Sequence, residues 1–158
     1  MDAVFKTDEG VFNYRIAGVW LHEDHVLLHR DANDNRWALP GGRVKIMEAS
    51  SVAVEREFLE ELGIQVKVDQ FLWSTENFFE YDGRKMHEVG FYYLVSPNTD
   101  YKFSHEPFFG VEGERLIYQW FPIAELEGVS LYPEFLVEGL KGIPTQDEHK
   151  VINDLTAE

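Results

Sequence analysis

The sequence predicts a mixed α/β fold in which helices cover a mixed β-sheet. Strand-forming segments are interleaved with helical ones along the chain, and this alternation is typical of such folds. A composition of 44% hydrophobic and 27% charged residues is that of a folded protein rather than a disordered one. Because 158 residues can bury a single core, we expect one domain over residues 1–158.

Two β-hairpins supply most of the predicted strands. The first joins residues 14–21 to residues 25–29 through a short polar turn. The second joins residues 65–79 to residues 87–95, and its turn at 81–84 contains an Asp-Gly pair, which favours tight hairpins. The shorter predicted elements are irregular backbone at 37–42, a loop at 98–113, a strand at 115–121, helices at 122–126 and 132–140, and a loosely ordered tail after about residue 144.

An amphipathic helix is predicted from about residue 50 to residue 62, with Gly63 as its C-terminal cap. At about 100° per residue, Glu57, Glu60 and Glu61 fall within about 100° of one another, and small alanines flank them. The opposite stripe is expected to face the core and holds Val52, Val54, Phe58, Leu59 and Leu62. One face should therefore pack while the other concentrates negative charge.

The overall charge limits the choice of partner. Only 14 Lys and Arg stand against 29 Asp and Glu, for a formal net charge of −15. This charge repels a nucleic-acid backbone, so we exclude long DNA or RNA. A small anionic substrate can still bind when a divalent cation bridges it to the protein. Since the chain has no cysteine, any metal site must use oxygen or imidazole ligands.

No segment suggests a membrane protein. The apolar runs are too short to cross a bilayer, and residues 1–6 lack the hydrophobic region of a signal peptide. We therefore expect no membrane partner and a cytoplasmic location.

The three clustered glutamates suggest a metal site. Like charges at these helical spacings repel by about a few tenths of a kcal/mol per pair, so something should neutralise them. Hard cations such as Mg²⁺ prefer oxygen ligands and commonly bridge protein carboxylates to substrate phosphates. The alternative is a solvated acidic face whose only partner is Arg56, one turn before Glu60.

The spacing around this helix favours the metal site. Gly42 is followed after five residues by Glu48 and, after seven more, by Arg56-Glu57-Phe58-Leu59-Glu60-Glu61-Leu62-Gly63-Ile64. This pattern resembles the Nudix box throughout. The Trp-Ala-Leu-Pro-Gly-Gly loop before it and the later Trp-Phe-Pro segment also resemble the layout of that family. The resemblance implies a Nudix-type α/β/α sandwich and a hydrolase that cleaves the phosphoanhydride bond of a nucleoside diphosphate linked to another moiety.

The resemblance also implies roles for particular residues. The acids that would bind Mg²⁺, or Mn²⁺ in its place, are Glu57, Glu60 and Glu61. The backbone carbonyl of Gly41 would lie near the metal, and the backbone of Gly41 and Gly42 would approach the substrate closely, as only glycine permits. Arg56 and Glu48 would orient the acids, because a guanidinium can hold a neighbouring carboxylate in one rotamer.

The general base remains open between two regions. Glu57 is one candidate because it lies centrally among the acids, but family members often carry the base on a later loop. That loop offers Glu106, Glu112 and Glu114. We favour Glu112 or Glu114 because they precede the last strand, the alternative being that each is simply a solvated loop residue.

The residue that binds the nucleobase of the substrate also remains open. Aromatic side chains can stack a base, although on strands they more often belong to the core. The candidates are Trp20, Trp37, Trp73, Phe78, Phe79 and Tyr81. Tyr81 follows Ile64 by 17 positions, near where some diadenosine polyphosphate hydrolases carry a tyrosine, so we include it as a candidate substrate-binding residue. The additional signature of ADP-ribose pyrophosphatases is not recognised.

Three positions depart from the usual box. Phe58 replaces the aliphatic residue most often found there, and Met47 stands where a glycine is common before Glu48. Ala49 stands where a helix-capping Ser or Thr is frequent, which leaves Ser50 to cap the first amides. None of these departures removes an acidic ligand.

Two other functional classes compete with catalysis. A Nudix-fold module that senses a nucleotide without cleaving it usually lacks part of the box, whereas every acidic position is present here. The acidic face could instead bind a basic protein, and such binding would weaken with salt. We favour the hydrolase, and the resemblance makes a homodimer plausible.

Overall fold

The computed structural model describes residues 1–155. Within this range there are nine strands, two α-helices and one 3₁₀ helix. The strands are β1 (Val4–Lys6), β2 (Val11–His22), β3 (His25–Asp31), β4 (Gly41–Arg43), β5 (Val66–Tyr81), β6 (Arg84–Pro97), β7 (Phe108–Gly110), β8 (Gly113–Pro122) and β9 (Glu148–Asn153). The helices are α1 (Ser50–Leu62), α2 (Phe135–Gly139) and the 3₁₀ helix (Ile123–Gly128).

The strands form one mixed sheet. Its order is β7-β8-β3-β2-β6-β5-β9, and β1 and β4 pair with β2 beside this path. Strand β2 runs parallel to β6 and β5 runs parallel to β9, whereas the other pairs are antiparallel. The predicted mixed α/β fold is therefore confirmed.

Both faces of the sheet are covered. One core cluster contains Val54 and Phe58 of α1 and the buried side chains of Trp20 and Trp120. The other contains Leu126 of the 3₁₀ helix together with Leu136, Leu140 and their sheet partners. The sheet thus lies between helical layers, as in an α/β/α sandwich. No helix within residues 1–155 has the length and apolar character needed to span a bilayer.

The two predicted hairpins are present. The β5–β6 turn places Asp82 and Gly83 at φ values of 52° and 75°, and the β2–β3 turn places Glu23 and Asp24 at 45° and 62°. Successive positive φ angles match the right-handed twist of paired strands, so both turns are tight. The cap at Gly63 is also confirmed, with φ of 68° and its N–H donating to the Leu59 carbonyl at 3.0 Å.

Three segments differ from the predicted irregular structure. Strand β4 lies in the segment 37–42 and just beyond it, because Gly41 has no side chain and can approach the Ile16 carbonyl of β2 closely. Strand β7 lies inside the predicted loop at 98–113 and pairs with β8. Strand β9 lies in the tail expected to be loose, where it runs parallel to β5 and the Trp73 indole donates to Glu148 at 3.3 Å.

The predicted helices near the C-terminal end differ from the observed ones. The helix expected at 122–126 is a 3₁₀ helix over Ile123–Gly128, and only Phe135–Gly139 within 132–140 is α-helical. Ser50 also does not cap α1, because its hydroxyl lies 2.6 Å from the Tyr93 hydroxyl instead.

The packed face of α1 is rotated from its predicted position. Val52 and Leu59, expected in the core, are 52% and 48% exposed, whereas Ala53 is fully buried and Glu61 is only 7% exposed. The helix packs on β2, β4, β5 and β6, and its buried residues are Ala53, Val54, Phe58, Glu61 and Leu62, which include one of the three acids. The positions of the apolar residues in α1 were therefore not sufficient to predict which face of the helix packs on the sheet.

Candidate active site at the acidic helix

Arg56 joins the acidic residues into one network. Its Nε and Nη2 donate to the two oxygens of Glu48 at 2.7 and 2.9 Å, a bidentate arrangement. Its Nη1 donates to Glu57 at 2.9 Å and to Glu60 at 3.2 Å, and Nη2 also donates to the Arg43 carbonyl at 3.0 Å. Such forked, charge-assisted bonds fix geometry as well as adding stability.

Glu48 is held as an anion beneath the helix. Hydrogen bonding to Arg56 lowers the pKa of Glu48 below its ordinary value, and the Lys45 amide also donates to its Oε1 at 3.0 Å. The same bond raises the pKa of Arg56. Glu48 and Arg56 thus form a fixed ion pair that can orient Glu57 and Glu60.

Glu57 lies against the glycine that begins the box. A Cβ added to Gly42 would come within 2.5 Å of the Glu57 carboxylate carbon. The position therefore requires glycine because the carboxylate occupies the space of a side chain. Burial raises the pKa of Glu57, partly offset by its bond to Arg56, and the Glu60 charge raises it further.

Glu61 is the most buried of the three acids. The Tyr118 hydroxyl of β8 donates to its Oε2 at 3.3 Å, and the Glu61 backbone carbonyl accepts from the Val111 amide at 2.9 Å. Burial raises the pKa of Glu61 to about 8, and the charges of Glu57 and Glu112 act in the same direction. The site thus contains a carboxyl group whose ionisation a bound cation would favour.

The donor set suits a hard divalent cation. It consists of carboxylate oxygens, and the buried acids destabilise one another's charged forms. No group of three or more acidic or histidine side chains in the part of the chain described is already closed around one point. Arg56 supplies the counter-charge to Glu57 and Glu60, while one oxygen of each carboxylate carries no protein hydrogen bond within residues 1–155.

The general-base candidates on the later loop differ in their proximity to the helix. Glu112 lies in the β7–β8 turn, lines a small cavity together with Glu61, and its charge raises the pKa of Glu61. All three candidates are exposed, but Glu114 and Glu106 do not line that cavity. Glu112 is therefore the loop acid that the fold brings nearest to the helix.

A cleft of about 460 Å³ is lined by β2, β5, β6 and the loop at 34–39. Arg15 and Arg43 line it, and the Arg43 carbonyl accepts from Arg56, which connects the cleft to the acidic helix. The aromatic residues that also line it are Trp37, Phe79, Tyr81, Phe91, Tyr92 and Tyr132. Of the stacking candidates, Trp20 and Trp73 belong to the core, whereas Phe78 packs on His87 with ring centroids 4.6 Å apart.

Several residues around the site were not identified from the sequence. They are Asn13, Arg15, Arg43, Tyr118 and Tyr132. Three of these five come from strands distant in sequence from the box, Asn13 and Arg15 from β2 and Tyr118 from β8, and Tyr132 comes from the segment before α2. For Arg43 a signal was available, since it directly follows the paired glycines.

The chain matches the NUDIX domain over residues 13–139. It therefore belongs to the Nudix family, and the predictions of a Nudix fold and a Nudix-type hydrolase are confirmed at the level of the family.

Named relatives are consistent with this assignment. A curated "MutT-like protein" of Streptomyces ambofaciens is 40% identical over 72 residues, which are 45% of this chain and 47% of that protein. The match thus spans about half the length of that relative. A MutT NUDIX hydrolase from Burkholderia pseudomallei aligns at 27% identity with a TM-score of 0.54, over 72% of this chain and 84% of its own. A mutator MutT protein from Bacillus halodurans shares the fold, with a TM-score of 0.62 at 17% identity, over 90% and 91% of the two chains.

Proposed function

We propose that this Nudix protein is a Mg²⁺-dependent pyrophosphohydrolase that cleaves the phosphoanhydride bond of a nucleoside diphosphate linked to another moiety. The observation that carries the proposal is the Arg56 network. One guanidinium holds Glu48 by two bonds and reaches Glu57 and Glu60 on the same helix. An isolated solvated acidic face would not need a bidentate anchor beneath it.

Each residue of the network has a distinct part in the proposed reaction. Glu57, Glu60 and Glu61 would hold the cation, with the Gly41 carbonyl nearby. A bound divalent cation supplies charge neutralisation at the phosphoryl oxygens and a more acidic water. Arg56 and Glu48 keep the acids in position, so that little rearrangement accompanies binding.

The proton of the attacking water needs an acceptor in this scheme. Glu112 and Glu57 are the two candidates that the geometry supports, since Glu112 lies near Glu61 and Glu57 lies at the centre of the network. Glu114, which the sequence left equal to Glu112, is the weaker candidate because Glu112, and not Glu114, lines the small cavity beside Glu61.

The cleft supports a nucleotide-like substrate. Its volume of about 460 Å³ falls within the range of small-molecule sites, and several of its lining residues are aromatic. Nucleoside triphosphates, dinucleoside polyphosphates and nucleotide sugars all share the required diphosphate, so all belong in the first assay.

A substrate panel with two helix variants tests the proposal. Nucleoside triphosphates, dinucleoside polyphosphates, ADP-ribose, NADH and nucleotide sugars are incubated with Mg²⁺ or Mn²⁺, and phosphate-containing products are quantified. Glu60→Gln should reduce turnover of the best substrate by about 10³-fold, whereas Glu55→Gln, on an exposed part of the same helix, should not. No turnover of any compound, or equal turnover by the two variants, would contradict the proposal.

Three further expectations belong to this proposal. They are Mg²⁺ as the metal with Mn²⁺ as a substitute, assembly as a homodimer, and a cytoplasmic location. Light scattering on the purified protein tests the homodimer, with a mass twice that of the 18.4 kDa chain as the expected result.

A further inference from the structure

Two arginines face each other at the edge of the cleft. Arg15 of β2 and Arg43 of β4 are direct partners in the antiparallel pair, and both line the cleft. Like charges directly opposite one another on paired strands are destabilising. Such a pair in a chain with a net charge of −15 requires an explanation.

The groups around the two arginines only partly balance them. Buried Asn13, 3% exposed, accepts from Arg43 Nε at 3.0 Å and donates to Glu88 Oε1 at 3.2 Å. Arg15 Nε lies 3.9 Å from the same Glu88 oxygen. Glu88 is therefore shared by two guanidinium groups. The charge of Arg15 also lowers the pKa of Glu57, but that carboxylate is already hydrogen bonded to Arg56, so neither arginine has a carboxylate of its own.

The remaining donors of both arginines are available to a ligand. Within residues 1–155, the Arg15 guanidinium makes no hydrogen bond, and that of Arg43 uses only Nε. Asn13 has both ends of its amide engaged, so it can hold Arg43 but has little capacity for a ligand. Asn13 is thus a positioning residue, while the free guanidinium N–H groups match the oxygens of a phosphate.

The pair lies between the acidic helix and the aromatic side of the cleft. The Arg43 carbonyl accepts from Arg56, which connects it to the acids. Further along, Arg36 stacks over Tyr132 at 5.3 Å, and the Tyr132 amide donates to the Trp37 carbonyl at 2.9 Å. A substrate that extends from the acids into the cleft would therefore pass the arginines before it reaches the aromatic rings.

We propose that Arg15 and Arg43 form an anion subsite that binds the phosphate on the nucleoside side of the cleaved bond, with the nucleoside lying along Trp37 and Tyr132. The identification of this phosphate rests on the proposed function. The subsite offsets the repulsion between an anionic substrate and Glu57, Glu60 and Glu61. It also assigns the nucleotide half of the substrate, rather than the other moiety, to the cleft.

Metal-free binding measurements test the subsite. Isothermal titration calorimetry in EDTA compares AMP, GMP, CMP and UMP with their own nucleosides. At least one mononucleotide should bind about tenfold more tightly than its nucleoside, since a charge-assisted bidentate contact is worth about a factor of ten. Arg15→Gln and Arg43→Gln should each remove that advantage and leave nucleoside binding unchanged. The matched control is Arg84→Gln, an exposed arginine in the β5–β6 turn.

The outcomes separate this inference from the proposed function. If no mononucleotide binds more tightly than its nucleoside, or if Arg84→Gln reduces the advantage as much as the cleft variants do, the subsite is wrong even when turnover with Mg²⁺ is found. The variant Arg43→Lys controls for misfolding. It retains the positive charge but loses the two parallel N–H donors of the guanidinium, so its affinity for the mononucleotide should be intermediate. Turnover abolished by Glu60→Gln with intact AMP binding would support both assignments independently.

Discussion

The Tyr118 hydroxyl donates a hydrogen bond of 3.3 Å to the buried carboxylate of Glu61. Tyr118 is itself almost fully buried on β8, and burial raises its pKa, so its hydroxyl stays protonated as a donor. The bond lowers the pKa of Glu61 against the larger effect of burial, which raises it to about 8. Strand β8 therefore controls both the orientation and the charge of an acid on α1.

Replacing Tyr118 with Phe should weaken metal binding. Loss of the donor raises the pKa of Glu61 further, so protons compete more strongly with the cation at pH 7. We expect Mn²⁺ affinity, measured by electron paramagnetic resonance, to fall about tenfold at pH 7 and the difference to shrink at pH 9. Tyr101→Phe, which removes a hydroxyl that contacts His22 instead, is the control. An equal loss at both pH values would indicate a merely structural effect.

His29 should make the fold sensitive to acid. Burial, followed by the charges of Arg15 and Arg115, lowers the pKa of His29 from 6.5 to about 4. Between about pH 6.5 and pH 4, the unfolded chain therefore binds more protons than the folded one. As a result, the free energy of unfolding falls as the pH drops through this range.

The variant His29→Gln should lose less stability in acid than the unmodified chain. Between pH 7 and pH 4, the fall in its free energy of unfolding should be smaller by up to roughly 3 kcal/mol. Urea unfolding at both pH values measures it. Exposed His105 provides the control as His105→Gln, which should leave the slope unchanged. If His29→Gln unfolds with the same pH dependence as the unmodified chain, the buried neutral imidazole is not the cause.

Met47 carries local backbone strain. Its φ of 69° lies in the left-handed region and its side chain is 98% exposed, so no packing compensates. We expect Met47→Gly to raise the free energy of unfolding by about 0.5–1 kcal/mol, as measured by urea denaturation. Met47→Ala keeps a Cβ and should give no gain. A variant Met47→Gly less stable than Met47→Ala would show that the strain is negligible.

Gly42 should be essential for activity without being essential for folding. A methyl group there would displace the Glu57 carboxylate, which lies 2.5 Å from the added carbon. We expect Gly42→Ala to lower kcat by about 10²-fold with a melting temperature close to that of the unmodified chain. Gly128→Ala is the control, because a Cβ at Gly128 meets nothing within 4 Å. Comparable activity in both variants would argue against the role of Glu57.

Local sequence signals predicted the elements that depend on a few neighbouring residues. Asp82 and Gly83 indicated the second hairpin, Gly63 indicated the end of α1, and the composition of residues 50–62 indicated the helix itself. In each case the physical cause lies within the element or in the turn next to it. These features were therefore readable without tertiary information.

Features that depend on distant packing were not predicted. Glu61 was expected to face away from the core, but β8 covers it and supplies Tyr118. Val52 and Leu59 were expected to be buried, yet the sheet packs against the neighbouring arc of α1. The cleft likewise requires β2 and β6 to lie parallel, and no local pattern encodes that pairing.

We propose that Glu57, Glu60 and Glu61 bind one or more divalent cations. The anomalous difference map of a crystal soaked in Mn²⁺, recorded near the manganese absorption edge, tests this assignment. We predict a peak in contact with carboxylate oxygens of these three residues and close to the Gly41 carbonyl. A map with no peak there, or with manganese only at other surface carboxylates, would show that these acids do not form the metal site.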